Sequence, residues 1–200
     1  YYAYDAAGNP ITTTSPLGQV TATVYDALNR PVQMNDAAGN STQFVYDAAG
    51  QQTQVVQPTG ATTSYTYDVR GMLTQSTNPL NQSTHYSYDN AGRLVTTSDP
   101  LNQNTTYAYN SSGRLASLTN ALGKSTTYGY DAVGNRTTVT DPLGRTTTTT
   151  YDTLNRVTAV TDAGTPTRHY TYDAAGQLVQ EISPAGRVIS YTYDTRGLVT

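Results

Sequence analysis

Hydrophobic and polar residues alternate along the chain in segments of about six residues, and turn-forming residues separate the segments. Residues 62–67 read TTSYTY and residues 83–88 read STHYSY, which places the tyrosines on one face and Ser and Thr on the other. Alternation with a period of two is typical of a β-strand, because successive side chains point to opposite faces of the sheet. Thr, Val, Tyr and Leu dominate the segments, and these residues favour strands. The pattern therefore predicts an all-β chain.

One tyrosine recurs at a constant spacing of 21 residues, with no insertion anywhere. Asp follows this register tyrosine in every unit but one, and Gly or Asn comes four residues after it. Gly and Asn are the residue types that most often accept a positive φ, so each unit is predicted to hold a tight turn there. We take the following as the structural signature of the repeat: Tyr4, Asp5, Gly8; Tyr25, Asp26, Asn29; Tyr46, Asp47, Gly50; Tyr67, Asp68, Gly71; Tyr88, Asp89, Gly92; Tyr109, Asn110, Gly113; Tyr130, Asp131, Gly134; Tyr151, Asp152, Asn155; Tyr172, Asp173, Gly176; Tyr193, Asp194, Gly197.

A second turn lies ten residues further on in each unit. Asp, Asn or Ser first, Pro second and Gly fourth is the residue order of a type I turn whose left-handed residue closes a hairpin. The segment DAGTP at 162–166 breaks this order, because Gly164 comes one position early and Thr165 stands where Gly is expected. We expect that turn to be misshapen. The regular examples are SPLG, DAAG, NPLN, DPLN, NALG, DPLG and SPAG at 15–18, 36–39, 78–81, 99–102, 120–123, 141–144 and 183–186.

Each unit is thus predicted to be two strands and two turns, which makes residues 1–200 a single array of about ten repeats and about twenty antiparallel strands. At about 4.8 Å per strand the array would extend roughly 95 Å. Right-handed twist accumulates in such a long sheet, so the predicted object is a curling band, part of a hollow β-shell. The chain begins and stops inside a repeat, from which we expect it to be a fragment of a longer chain.

The odd length of the repeat predicts an irregularity in every unit. Two identical odd-length turns would require an even repeat to keep the tyrosines on one face, yet the repeat is 21 residues long. Each unit should therefore contain one β-bulge, or its two turns should differ in length. Across the first turn the pattern predicts that Tyr88 faces Leu94 and that Asp89 faces Arg93; Tyr67 with Leu73, Tyr172 with Leu178 and Asp26 with Arg30 follow the same rule.

Composition narrows the classes of function. The formal net charge is −3 with 11 basic residues scattered singly, so the chain lacks the basic patch of a nucleic-acid-binding protein. It contains no Cys, which excludes disulfides and thiol chemistry. No segment has the apolar length of a membrane-spanning helix, and no signal peptide opens the chain, so any targeting signals are expected outside this fragment.

Residues with catalytic or metal-binding chemistry have structural explanations. All 13 Asp residues occupy turn positions, where the carboxylate caps nearby backbone N–H groups, and Glu181 is expected to be simply solvated. His85 and His169 occupy the same phase four repeats apart, on the face opposite the tyrosines, so they should not form a pair. We predict no catalytic residue, no cofactor and no metal, and hence no enzyme. Rows of aromatic residues can bind glycans, although wall-binding repeats of that kind depend on Trp, which is absent.

The motif P-x-G-x(4)-Y-x-Y-D-x-x-G, present as PAGRVISYTYDTRG at 184–197 and with its fullest core as YDNAGRL at 88–94, closely resembles the YD repeat of the Rhs family. The resemblance covers the whole chain. Members of that family include bacterial Rhs polymorphic toxins, the C subunit of insecticidal toxin complexes, cell-wall-associated bacterial proteins and the animal teneurins. The departures are local: Asn110 replaces Asp, Asn29 and Asn155 replace Gly, and Thr23 and Thr149 replace the first Tyr of the pair.

This resemblance implies a secreted or cell-surface bacterial protein whose β-shell encloses a C-terminal toxin cargo domain of the same polypeptide. Further partners would be secretion-system or toxin-complex proteins, with no nucleic acid. Bacterial members also carry a self-cleaving aspartyl site near a DPxGL-like motif. DPLGR at 141–145 matches it only in part and lies in an ordinary repeat turn, so that activity is not assigned here. The alternatives are a cell-surface adhesin or glycan-binding repeat module, and an adhesion protein of the teneurin type.

Overall fold

A computed structural model describes all residues 1–200, and the chain folds into nineteen β-strands without any helix. It divides into two units, Tyr1–Asn104 and Thr105–Thr200. The strands of the first unit are β1 (Tyr2–Tyr4), β2 (Pro10–Thr14), β3 (Val20–Tyr25), β4 (Pro31–Asn35), β5 (Ser41–Tyr46), β6 (Gln52–Val56), β7 (Thr62–Tyr67), β8 (Leu73–Thr77), β9 (Ser83–Tyr88) and β10 (Leu94–Ser98).

The second unit continues the same alternation of longer and shorter strands. Its first strand, β11, begins at Asn104, which is the last residue of the first unit. The strands are β11 (Asn104–Tyr109), β12 (Leu115–Thr119), β13 (Ser125–Tyr130), β14 (Arg136–Thr140), β15 (Thr146–Tyr151), β16 (Val157–Thr161), β17 (Arg168–Tyr172), β18 (Leu178–Ile182) and β19 (Val188–Ser190).

Within each unit every strand pairs antiparallel with the next strand along the chain. An isolated bridge between Tyr193 and Val199 marks the start of one more hairpin after β19. The all-β prediction is therefore confirmed, and the strand number agrees with the expectation of about twenty. None of the chain forms a helix long and apolar enough to cross a lipid bilayer.

Both turns of a repeat have the same construction. In the first, Asp68 donates its N–H to the carbonyl of Met72 at 2.9 Å, and Gly71 donates to the carbonyl of Asp68 at 2.9 Å. In the second, Asn78 and Asn81 make the equivalent bonds, each at 2.9 Å. The fourth residue of the first turn has a positive φ in all ten repeats, as its Gly or Asn identity predicts. The turn at 57–60, whose sequence QPTG begins with Gln, has the same two bonds although its first residue departs from the pattern.

A β-bulge in each of the first nine repeats explains the odd period. Thr66 pairs with Gln75 and Tyr67 pairs with Leu73, which leaves Thr74 as the extra residue. The same shift in pairing occurs just before the register tyrosine in nine strand pairs: β1–β2, β3–β4, β5–β6, β7–β8, β9–β10, β11–β12, β13–β14, β15–β16 and β17–β18. Because the two turns are alike, the bulge is the irregularity that the sequence required. The predicted facing pairs are confirmed as well.

The two faces of each unit differ in chemistry. We call the side that carries the register tyrosines the tyrosine face; it also carries Leu73 and Leu178 across the hairpins. The opposite side, the hydroxyl face, carries side chains that bond to one another across strands. Thr77 and Ser83 are 2.9 Å apart through their hydroxyl oxygens, and Thr140 and Thr146 are 2.8 Å apart. The tyrosines thus share one face, as predicted, although Ser76 lies on that face too, opposite Tyr65 and 3.3 Å from the hydroxyl of Tyr86.

No residue of this chain is buried as a whole, either apolar or polar. The accessible surface is 12838 Å², whereas a typical monomer of this mass exposes about 9,200 Å². Within each unit, strands contact only their neighbours along the chain. The fold therefore depends on backbone ladders and on contacts within one layer of sheet, since there is no hydrophobic core.

Candidate functional site

The signature Asp residues cap the turns. The Oδ1 atom of Asp89 accepts the N–H groups of Ala91 and Arg93, both at 2.9 Å, and its Oδ2 atom accepts Nε of Arg93 at 2.8 Å. Asn110 stands in place of Asp and keeps the Oδ1 bonds, accepting from Ser112 and Arg114 at 3.0 Å each. An amide can therefore replace the carboxylate as a backbone cap, but it carries no charge.

Hydrogen bonds to several of the capping carboxylates lower their pKa. The side chain and then the N–H of Arg30 hold the pKa of Asp26 below its ordinary value, and the N–H of Arg93 followed by its side chain does the same for Asp89. In Asp5 the principal cause is the side-chain amide of Asn9. The ionised carboxylate is thus the form that the folded turn favours.

Arginines that follow the first turn connect one repeat to the next. Arg30 lies 2.6 Å from the carboxylate of Asp26 through Nη2, and its guanidinium carbon lies 4.6 Å from the ring centre of Tyr46 in the following repeat. Arg156 repeats this arrangement with Asp152 at 2.6 Å and Tyr172 at 4.5 Å. A cation over a tyrosine ring is an attractive geometry. Each such arginine therefore contacts a turn in its own repeat and a ring in the next.

Register tyrosines make a second connection between repeats. The hydroxyl of Tyr46 donates to the carbonyl of Pro31 at 2.9 Å, and the hydroxyl of Tyr172 donates to the carbonyl of Val157 at 2.9 Å. In each case the acceptor lies 15 residues earlier, at the first residue of the preceding even-numbered strand. The same bond is made by Tyr25, Tyr67, Tyr130, Tyr151 and Tyr193.

The sequence pattern did not predict these two connections. It predicted that the register tyrosines face residues across their own hairpins, that the aspartates cap turns and that the arginines face those aspartates. One signal was available: the register position is Tyr in all ten repeats, and the chain has a single Phe elsewhere. A position that needed only an aromatic ring would tolerate Phe, so strict Tyr indicates that the hydroxyl is used.

The remaining titratable residues do not form a site. His85 pairs with Gln75 across strands on the hydroxyl face of the first unit, and His169 pairs with Ala159 on the same face of the second unit. No group of three or more His, Cys, Asp or Glu side chains could hold a metal ion. Glu181 is not simply solvated, as the sequence suggested, because it lies 3.5 Å from Arg168 on the adjacent strand.

The family model described as RHS Repeat matches residues 4–42, 46–81, 67–103, 88–123, 109–146, 130–167, 151–188 and 172–200. No curated protein matches the chain.

Among solved structures, a complex described as TcdB2-TccC3-Cdc42 has a TM-score of 0.75 and 20% identity over 96% of this chain and 13% of its own. TcdB2-TccC3-TEV has a TM-score of 0.60 and 16% identity over 99% and 13%. A Tc holotoxin pore of Photorhabdus luminescens, with the TccC3 mutation D651A, has a TM-score of 0.58 and 15% identity over 99% and 18%. These likenesses concern the fold, and the chain spans 13 to 18% of the solved chains it resembles. With matches to the repeat model along nearly its whole length, the chain belongs to the RHS repeat family.

Proposed function

We propose that this chain is a segment of the wall of a hollow β-shell in a bacterial Rhs-type toxin protein, and that the shell encloses a C-terminal toxin domain of the same polypeptide. Residues 1–200 would be one part of a longer repeat array in a protein that is secreted or displayed at the cell surface. Secretion-system or toxin-complex proteins would be its further partners. The role is mechanical and requires no catalytic residue in this segment.

The observation that carries the proposal is a sheet of one layer in which two kinds of interaction, backbone hydrogen bonds and side-chain contacts, join neighbouring hairpins. Backbone ladders join the strands within each unit, and side chains add the Arg30 to Tyr46 contact and the Tyr46 to Pro31 hydrogen bond between repeats. No residue is buried as a whole. Such a layer resists separation of its strands but has no interior of its own, which fits a wall better than a domain that binds a ligand in a pocket.

Protection of the downstream domain tests the proposal. In the full-length protein, proteinase K should leave the toxin domain intact in the wild type. It should digest that domain in a variant that lacks Thr74 and Thr158, the extra residues of the bulges in the β7–β8 and β15–β16 pairs. The control replaces both with Val, which keeps the residue count and should preserve protection. The separately produced toxin domain must be digested under the same conditions. Equal digestion of the downstream region in all proteins, or equal protection, would show that this segment encloses nothing.

Glycan binding by the tyrosine face is the outcome that would favour the adhesin alternative. A sugar that stacks on an aromatic side chain needs an accessible ring face, whereas Arg30 and Arg156 lie over the rings of Tyr46 and Tyr172. We therefore expect no binding on a glycan array. Reproducible binding that is lost on Tyr46→Ala, together with no protection of a downstream domain, would replace the shell by a glycan-binding module.

A further inference from the structure

A regular second turn is closed by several hydrogen bonds, as the turn after β14 shows. Asp141 donates its N–H to the carbonyl of Arg145, and Gly144 donates to the carbonyl of Asp141, both at 2.9 Å. The Asp141 carboxylate accepts the N–H groups of Leu143 and Arg145 at 2.9 Å each and Nε of Arg145 at 2.6 Å. Backbone and side chain therefore hold both ends of this turn together.

The turn after β16 has lost most of these bonds. Thr165 donates its N–H and its side-chain hydroxyl to the carbonyl of Asp162, both at 3.0 Å, but the closing bond from the Asp162 N–H to the residue four positions later is not made. Pro166 stands at that later position and has no N–H to donate to the Asp162 carboxylate. That carboxylate instead accepts the hydroxyl of Thr147 on β15 at 2.7 Å. The prediction of a misshapen turn is therefore confirmed.

The ladder beside this turn is also shorter. Only two residue pairs join β16 to β17, whereas three join β14 to β15. The positive φ belongs to Gly164, the third residue of the turn, where type II turns place it. Thr161 and Thr167 remain in contact through their hydroxyls at 2.7 Å, and Arg168 forms its ion pair with Glu181 at 3.5 Å. This ion pair is partly exposed and 3.5 Å long, and such pairs contribute little to stability, so few interactions oppose opening here.

We propose that the segment 162–168 is the point at which the folded array opens first and at which an endopeptidase cleaves it. A protease must hold an extended peptide in its active site, so a strand has to leave its ladder before cleavage. When reclosing is fast relative to cleavage, the rate follows the population of the open form. The turn with the fewest closing bonds should therefore decide where the chain is cut, independently of whether the shell holds cargo.

Trypsin provides the test, because an arginine lies just after the irregular turn and another lies just after a regular one. The side chain of Arg145 is 68% exposed and that of Arg168 is 46% exposed. If exposure alone governed cleavage, Arg145 would be cut first. We expect the first cut within this chain to follow Arg168 in the native full-length protein, as mapped by mass spectrometry over a time course. A first cut after any other Arg or Lys of this chain, including Arg145 and Arg187, which follow regular turns, would overturn the proposal.

A repaired turn separates this effect from the local sequence. Gly164→Ala, Thr165→Gly and Pro166→Asn together convert DAGTP to DAAGN, the sequence of the regular turn at 36–40. Cleavage after Arg168 should slow by about tenfold or more, because at least two hydrogen bonds are regained. An unchanged rate would contradict the proposal.

The reciprocal variant moves the weakness elsewhere. Ala38→Gly, Gly39→Thr and Asn40→Pro create DAGTP at 36–40, where the Asp36 carboxylate now accepts two N–H groups and an amide. Hydrogen exchange of the amides in β4 and β5 should then become about tenfold faster, while exchange in β7 and β8 stays the same. Unchanged exchange in β4 and β5 would show that this turn sequence does not weaken the ladder.

Discussion

At the scale of single residues, the hydroxyl of the register tyrosine donates a hydrogen bond that an aromatic ring alone could not make. The rings lie in a layer without a core, where area burial is partial, so directional bonds carry a larger share of the stability. The bond from Tyr172 to the carbonyl of Val157 joins a strand to the preceding hairpin, and Arg156 covers the same ring. One residue thus unites an aromatic contact, a cation contact and a hydrogen bond.

Replacing Tyr172 with Phe should remove only the hydrogen bond. The ring and its contact with Arg156 remain, so the expected loss is about 0.5–1.5 kcal/mol in the free energy of unfolding. Urea denaturation followed by circular dichroism measures it. Tyr170, two residues earlier on the same face, makes no such bond to a carbonyl, and Tyr170→Phe is the matched control. Equal losses for the two variants would show that the hydroxyl bond contributes nothing.

The left-handed glycine of the first turn has a second constraint where an arginine lies against it. Gly134 has a φ of +108°, and a Cβ added there would lie 2.7 Å from Nη2 of Arg114. Gly8, with a φ of +88°, has nothing within 4 Å of the same position. Gly8→Ala should therefore cost about 1–2 kcal/mol for the backbone conformation alone.

Gly134→Ala should cost more than Gly8→Ala, by about 0.5–1.5 kcal/mol, because Arg114 must also leave the carbonyl of Asp131, which it now contacts at 3.0 Å. Both losses can be read from urea unfolding curves. In the background Arg114→Ala the two glycine variants should cost the same, and a persistent difference would exclude the arginine as its cause.

At the scale of the hairpin, the repeat length was sufficient to predict either a β-bulge or two turns of different length, but not to choose between them or to locate the bulge. The odd period and the two like turns required one extra residue in each unit. The position follows from pairing energetics: Tyr67 must face Leu73 beside the turn while Thr66 faces Gln75, and the surplus residue is Thr74 between them. Its hydroxyl lies 3.2 Å from that of Thr66. Side-chain links between repeats likewise require coordinates, because strand alternation alone does not say which neighbours touch.

Deleting Thr74 should exchange the two faces in every following strand of the first unit, so that side chains that now lie on one face would lie on the other. The side-chain period of a strand is two, so a shift by one residue would move the tyrosines after the bulge to the hydroxyl face. We expect loss of cooperative unfolding and a reduced strand signal in circular dichroism. Thr74→Val is the control; it removes the hydroxyl contact but keeps the residue and should retain the fold. A deletion variant that unfolds like the wild type would mean that the bulge is not needed for register.

At the scale of the whole molecule, the lack of wholly buried residues makes stability a sum over repeated small interactions. The repeat, the two turns and the all-β class could be predicted from the sequence because they depend on local chemistry, such as the Gly or Asn at each turn. Glu181 was interpreted wrongly, since its partner Arg168 lies on a neighbouring strand 13 positions away in sequence. Contacts of this kind depend on register, which the bulge displaces.

Repeated capping carboxylates give the chain a dependence on acid. A pKa below the ordinary value is found for Asp5, Asp26, Asp36, Asp68, Asp89, Asp131, Asp141, Asp152 and Asp194. A carboxylate whose pKa is lowered by folding stabilises the fold fully above its unfolded pKa, and this contribution disappears as the pH falls through the folded pKa. The free energy of unfolding should thus be insensitive to these groups at neutral pH and should decrease below about pH 4.

A substitution in a single turn can distinguish the contribution of the carboxylate charge from that of the hydrogen bonds that cap the backbone. Asp26→Asn should keep the bonds from the N–H groups of Leu28 and Arg30, as Asn110 does naturally, and should lose the ion pair with Arg30. The variant should be slightly less stable than the wild type at pH 7, and the difference should shrink as the pH falls, because the wild type then loses the same charge. Asn110→Asp is the reciprocal variant and should add acid dependence. Urea midpoints measured from pH 7 to about pH 2 give the comparison, and parallel curves throughout would show that the turn carboxylates do not carry it.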